Sequence, residues 1–454
     1  MAEILAVLLV LTVIGALLAG YPVALTLGGV SLAFAVIGHA LGVMSFAILG
    51  ALPDRIFGVM TNEVLLAIPL FIFMGVMLEQ SRIAEDLLER MGRLFGTLRG
   101  GLGFSVVIVG ALLAASTGMV GATAVTIGLI MLPAMLRHGY DPRLAAGTVA
   151  ASATLAQIIP PSTVLVLLGD QLNNAYQSAQ LAKGSFAPNV ISVSDLFAGA
   201  IVPGLLLVAL YLAFLVAMAV WRPESLPAIA DTSAPGGLAD ALLAPVVLIV
   251  AVLGSILYGI ATPTEAASVG AVGAILLAAR KTNVRPLMRP VSEKTAQITS
   301  MIFLILIGAT MFSLLFRALG GDVMVTHALA NLPGGVNGAV LAVMLAVFLL
   351  GFVMDAFEII FVVVPIVGPA LLTMPGVDPI WLGIMIAVNL QTSYMHPPLG
   401  PTLFYLRGVA PPEITTRHIY VGIIPFVVIQ LLALLVLWFV PGLATALPHA
   451  LYGR

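Results

Sequence analysis

The stretch FVMDAFEII, Phe352–Ile360, places two carboxylates, Asp355 and Glu358, inside an apolar run. Two other apolar runs are each interrupted by a proline pair: Pro160–Pro161 in LAQIIPPS and Pro397–Pro398 in YMHPPLG. An acid inside a membrane-length apolar segment is costly and is by default functional. Asp355 is therefore the leading candidate for a cation ligand, with a paired or protonated carboxyl inside a bundle as the alternative. Proline removes an N–H donor and clashes with the preceding turn, at roughly 3 kcal/mol or more in a helix interior. Pairs at 160/161 and 397/398 strand the carbonyls of Ala156 and Gln157, and of Ser393 and Tyr394. A bare carbonyl in hydrocarbon is expensive unless something satisfies it. Hard cations such as Na⁺ take clusters of oxygen ligands, and broken helices recur as their sites. The helix restarting after Pro161 would aim free N–H groups and a positive dipole end into the same break, which suits an anion.

Polar residues cluster near these breaks. AASTGMVGATA, Ala114–Ala124, offers Ser116, Thr117, Gly118, Gly121 and Thr123, and the broken segments add Thr154, Gln157, Ser162, Asn389, Gln391, Thr392 and Ser393. Individual hydroxyls in membrane helices serve packing more often than ligation. Glu358, one turn after Asp355, could point away from the site. His396 beside Pro397 reads equally as a proton sensor and as an interior packing residue. Asp141 and Asp378, each followed by proline, read as helix caps, and Glu265 in TPTEAA as an acid at a helix start.

The elements that must hold these residues are membrane helices. The chain is 61% hydrophobic and 8% charged, against about 25% charged for a soluble chain. Apolar runs long enough to span recur from end to end, without the short alternating segments of a β-barrel. A net charge of −2 gives no reason to invoke nucleic acid, and the absence of cysteine excludes disulfides, thiolate zinc sites and thiol nucleophiles. The N-terminal run has no Lys or Arg before it and reads as a retained span rather than a signal peptide.

Full spans are expected near 4–20, 23–49, 62–80, 196–220, 239–259, 265–280, 298–316 and 419–440. The runs 102–136 and 338–373 have weak centres and read as re-entrant hairpins, and 141–169 and 378–407 as broken helices. Ile83, Leu87, Leu88, Met91, Leu94 and Phe95 fall on one face of an interfacial helix, and Gly169–Asn189 reads as a polar external segment. With hairpins returning to their side of entry, one face collects all 18 basic residues except Arg55, Lys183, Arg317 and Arg454. The positive-inside rule makes that face cytoplasmic, opens the first hairpin to the cytoplasm and the second to the exterior, and puts both termini outside.

The halves match. GYDPRLAAGTVAASATLAQIIPPS, from Gly139, aligns with GVDPIWLGIMIAVNLQTSYMHPPL, from Gly376; in both, Asp precedes the first proline of the pair by 19 residues. Each follows a hairpin, and each hairpin follows a Gly-Gly. The fold class expected is an all-α polytopic membrane protein with inverted repeats over 1–221 and 239–454, joined by a cytoplasmic linker, 222–238.

At IIPPS, GIATPTEAA, FVMDAFEII and HPPLGPTLFYLRG, and along nearly the whole chain, the sequence resembles the large membrane subunit of tripartite ATP-independent periplasmic (TRAP) transporters, the DctM type. The resemblance implies an elevator in the bacterial inner membrane: a scaffold and a mobile domain of two hairpins and two broken helices. It implies Na⁺ as the coupling ion, no cofactor, a small four-helix membrane subunit on a separate chain, and a periplasmic binding protein delivering an organic acid. By the family pattern, one Na⁺ site joins the hairpin tip at Ser116 and Gly118 to Ala156, Gln157 and Pro160. A second uses Asp355, Thr392 and the Met395 carbonyl. Thr123, Pro161, Ser162, Gln391, Pro397 and Pro398 are then the candidates for contact with the acid. The competing readings are an intramembrane hydrolase, for which Asp141 and Asp322 would have to meet inside the bundle, and a channel, which needs a continuous pore.

Overall fold

The structure, a computed structural model, describes residues 1–185, 190–229, 238–398 and 400–453. Among the described residues it contains 21 α-helices, three short 3₁₀ turns and no strand. Five helices are each long and apolar enough to cross a membrane: Val23–Ala40, Val120–Arg137, Val193–Trp221, Arg285–Ala318 and Thr416–Phe439. Large apolar side chains such as Leu243, Leu205, Ile424 and Phe439 are exposed, more than 50% in each case. In water such a surface would aggregate; in lipid it costs nothing. The chain is a multi-pass membrane protein.

Both hairpins are present. The first has arms Gly101–Thr117 and Val120–Arg137, turned at Gly118, whose φ of +57° is left-handed. The second runs through Gly335–Leu350, turns at Gly351–Met354, and returns as Ala356–Val362 and Val364–Thr373, bent by 55° at the join. Pro365 lies on the first turn after the bend, where its missing N–H is least harmful. The broken helices are Pro142–Thr154 continuing as Thr163–Ala182, and Pro379–Ser393 continuing as Pro401–Val409. Both Pro–Pro peptide bonds at the breaks are cis. Asp141 and Asp378 cap the entering helices, accepting from Arg143 N at 2.7 Å and Trp381 N at 2.8 Å. Thr262 and Glu265 form a reciprocal capping box at the start of Pro263–Lys281, the structural role expected of Glu265.

The hairpins enter from opposite ends. The base of the first is tied to the linker end of the molecule: Gly100 N donates to Leu226 O and Asp141 N to Ser225 O, each at 3.1 Å. Tyr140 lies in this layer, its hydroxyl accepting from Leu102 N at 3.2 Å, and burial pushes its pKa up to about 12. The base of the second is held at the other end, where Lys183 Nζ donates to Leu372 O at 2.8 Å. Their tips converge in the middle.

Several expectations needed correction. The span expected over 23–49 ends at Ala40; a 3₁₀ turn, Phe46–Ala51, and a short amphipathic helix, Leu52–Met60, follow, because Pro53, Asp54 and Arg55 suit an interface rather than a bilayer core. Gly169–Asn189 is not a separate polar segment: residues to Ala182 continue the restarted helix, with Leu172, Ala175 and Ala179 buried on one face. Helix Ile83–Phe95 buries Leu87, Leu88 and Met91 as expected, but Leu94 is exposed. Residues 230–237 of the linker lie outside the described residues.

Candidate functional site

Each hairpin tip is pressed onto the break of its own half. Thr163 Oγ1 donates to Gly118 O at 3.0 Å, and a Cβ built on Gly118 would lie 3.2 Å from the Pro161 carbonyl oxygen. At the second tip, a Cβ on Gly351 would lie 2.6 Å from Ser393 Cβ. Glycine is thus required at Gly351 by close approach, and at Gly118 by both approach and φ. The two halves also touch: a Cβ on Gly121, in the first hairpin, would meet the ring of Tyr405 at 2.9 Å.

Asp355 sits at the second tip as an N-cap. Its Oδ1 accepts from Phe357 N at 2.8 Å and from the Tyr394 hydroxyl at 3.3 Å. Glu358 closes the capping box by accepting from Asp355 N at 3.1 Å, so it turns back to the tip rather than outward. The carboxylate expected as a cation ligand therefore also holds the start of its own helix.

These tips line a cavity of about 320 Å³. Gly118, Gln157, Thr163, Asp355, Tyr394 and Tyr405 face it from the hairpins and broken helices. Ile72, Ile298 and Met301 face it from helices Ala67–Gln80 and Arg285–Ala318. Its mouth is flanked by an ion pair between those two helices, Lys294 Nζ to Glu79 Oε1 at 3.0 Å.

The stranded carbonyls are answered more fully within the chain than the proline pairs suggest. Ser162 Oγ donates to Gln157 O at 2.7 Å, Thr402 N to Tyr394 O at 3.2 Å and His396 N to Ser393 O at 3.4 Å. What remains without a partner is a set of buried side-chain atoms: both amide atoms of Gln157, Asn389 Oδ1, Gln391 Oε1 and Thr402 Oγ1. Leaving such an acceptor unsatisfied costs about 1–3 kcal/mol. Neutral oxygens of this kind suit a monovalent hard cation, and no cluster of three or more His, Asp or Glu fit for a metal occurs among the described residues.

Of the residues the sequence singles out, Gly118, Gly121, Gln157 and Asp355 line the cavity; Pro160 and Pro161 are buried outside its lining, with the Pro161 carbonyl against the first tip. Ala156, Ser162, Thr392 and Met395 are buried in the breaks without facing the cavity. Thr392 donates to Asn389 O at 2.6 Å. Thr123 donates to Met119 O at 2.8 Å, and Gln391 donates across to Thr154 at 3.2 Å. Pro397 is half-buried and Pro398 exposed, its carbonyl accepting from the Tyr420 hydroxyl at 3.3 Å; neither reaches the cavity. The side chain of Ser116 lies outside the described residues. His396 is stacked on Phe352 and meets Phe348 edge-on, at 4.3 and 4.4 Å between ring centroids. Sequence reasoning missed the Tyr394 and Tyr405 side chains and the Glu79–Lys294 pair. The signal for the last was a lone acid and a lone lysine at the polar ends of otherwise apolar helices.

A second cavity, of about 470 Å³, lies at the other end of the same interface. Four segments line both. Residues 62 and 65 border the second cavity and 72 and 79 the first; 306–317 border the second and 294–302 the first. Likewise 170–181 and 163–164, and 361–365 and 355–357. Buried Ile68 and Ile305 lie between the two linings. Asp141 caps helix Pro142–Thr154 and Asp322 lies in the first turn of a separate helix, Gly321–Ala330, so each sits at a helix start on its own element, as neither catalytic acid of a hydrolase would.

Comparison with known proteins agrees with this arrangement. The chain is 30% identical to a C4-dicarboxylate TRAP transporter large permease protein of Rhodobacter capsulatus, covering 96% of this chain and 97% of the relative. It is 29% identical to the protein of that name from Vibrio cholerae, covering 98% of each. In fold it resembles the YdaH transporter of Alcanivorax borkumensis, with a TM-score of 0.65 at 15% identity, covering 88% of this chain and 89% of that one. The model of the family described as "Tripartite ATP-independent periplasmic transporter, DctM component" matches residues 8–443, and the chain belongs to that family of transport proteins.

Proposed function

We propose that this chain is the large permease subunit of a Na⁺-coupled secondary transporter that imports a small organic acid across the bacterial inner membrane by an elevator movement. A small four-helix subunit on a separate chain completes the membrane part, and a periplasmic binding protein delivers the acid. The observation that supports this reading best is the pair of cavities stacked along the same four segments. On helix Arg285–Ala318 the centres of the two linings are about 13 residues apart, or about 20 Å at 1.5 Å per residue. Sliding the hairpins and broken helices by that distance along the two scaffold helices would carry the Asp355–Gln157 site from one cavity to the other. Two cavities separated by buried isoleucines suit such alternation better than a continuous pore.

The halves act as inverted repeats in this reading, with tips meeting from opposite sides. Na⁺ would take the unsatisfied Gln157 amide oxygen together with the Asp355 carboxylate, and the acid the amide-rich start of helix Thr163–Ala182 beside Tyr394 and Tyr405. Candidate acids are C4-dicarboxylates, 2-oxo acids and sugar acids; the names of the relatives favour the first. The test is uptake of labelled succinate into proteoliposomes holding this chain, its small subunit and its binding protein. Uptake that rises with an inward Na⁺ gradient supports the reading; uptake indifferent to that gradient removes the coupling.

A further inference from the structure

The cavity at the end away from the linker is lined by two arginines, Arg55 on the short helix Leu52–Met60 and Arg317 at the last turn of Arg285–Ala318. Among the described residues neither side chain makes an ion pair or a hydrogen bond. The one acid in the same wall, Asp170, is occupied: Oδ1 accepts from Asn62 Nδ2 at 2.7 Å and Oδ2 from Gln171 Nε2 at 3.0 Å. Burial, and then the like charge of Arg317, hold the Arg55 guanidinium below its usual pKa. Two guanidiniums facing one carboxylate that pairs with neither leave this partly enclosed space net positive, which raises the local concentration of anions, and each presents a planar fork that matches a carboxylate. The rest of the lining mixes neutral polar side chains, including Asn174, Ser178, Thr310 and Ser313, with apolar ones such as Leu65, Leu306 and Phe361. Both arginines belong to the scaffold, so they stay in place while the core site moves. They are also two of the few basic residues on the face assigned outside, where a positive-inside bias would otherwise remove them.

We infer that this outer cavity is an anion-receiving vestibule in which Arg55 and Arg317 together hold a small dicarboxylate before it reaches the core site. The inference rests on the proposed function for the direction of travel and the carboxylate nature of the cargo. A lipid headgroup offers the same oxyanion chemistry, but the position between packed elements and the polar side chains beside both arginines favour a soluble one.

The chain has no cysteine, so Ser313→Cys, one turn before Arg317, gives a single reporter. In phosphatidylcholine nanodiscs, its alkylation by a neutral maleimide is timed with succinate, succinamide, or chloride at matched ionic strength. Protection by succinate alone is expected. In R55Q or R317Q the half-protecting concentration should rise about 10-fold or more, and R55K/R317K should recover part of it, which excludes a general loss of folding. Undiminished protection in R55Q/R317Q, equal protection by succinamide or chloride, or protection by added phosphatidylglycerol but not by succinate would each overturn the assignment. The assay needs no gradient, Na⁺ or partner protein, so failure of Na⁺ coupling in the uptake experiment leaves its result intact.

Discussion

Gln391 Nε2 donates to Thr154 Oγ1 at 3.2 Å, joining the two broken helices directly, although 237 residues separate them in the chain. Thr154 in turn donates to Ala151 O at 2.8 Å and receives Gln430 Nε2 at 3.5 Å; Gln430 also donates to the Tyr211 hydroxyl at 2.9 Å. All four side chains are fully buried. This polar bridge locks the two halves of the core into one body.

Thr154→Val removes the shared acceptor while keeping the shape. It strands the buried Gln391 amide donor and leaves Gln430 only the Tyr211 hydroxyl, so the detergent-solubilised protein should lose about 1–3 kcal/mol of stability. Gln391→Leu combined with Thr154→Val should cost less than the sum of the single changes. Thermal melts of the four proteins measure this; strict additivity would mean the pair does not interact.

Asp355 has two roles that a charge-neutral substitution separates. Asn caps helices nearly as well as Asp, so Asp355→Asn should leave the melting temperature within a few degrees while reducing Na⁺-stimulated uptake more than 10-fold. Asp355→Ala should lower both. If Asp355→Asn transports with unchanged Na⁺ dependence, the carboxylate is a cap and nothing more.

The tip glycines are steric tests. Gly351→Ala brings a methyl to 2.6 Å from Ser393 Cβ, and Gly118→Ala adds an unfavourable left-handed φ to a 3.2 Å approach to the Pro161 carbonyl. Each should cost about 1–3 kcal/mol and lift its hairpin off the break. Uptake should fall several-fold in both, whereas Gly408→Ala, which meets nothing within 4 Å, should behave as wild type. Equal behaviour of all three would show that tip seating does not matter.

Tyr140 carries a pH prediction. Its folded pKa, about 12, lies above the ordinary 10.0 because burial disfavours the phenolate. A raised pKa means the stabilisation is complete below pH 10 and is lost as pH climbs through 12. A shift of that size corresponds to stability on the order of 2–3 kcal/mol at most. Melts between pH 9 and 12 should therefore fall more steeply for wild type than for Tyr140→Phe, in which other titrating groups remain the same; parallel curves would contradict this.

Much was written in the residues themselves. Apolar run lengths fixed the helical membrane class. Paired Gly-x-Asp-Pro and Pro-Pro signatures located both broken helices, and weak polar centres located both hairpin tips. These features are local: a missing N–H, a capping carboxylate or a glycine acts within a turn or two of its own position, so it is legible without knowing what lies across the fold. The structure decided what those local breaks face. Ser162 and Thr402 fill carbonyls that proline alone would leave bare. Gln391 turns from the cavity to the other half, and Arg55 meets Arg317 across more than half the chain in sequence. Such pairings depend on how helices far apart in the chain pack side by side, and periodicity within one segment carries no record of its neighbours.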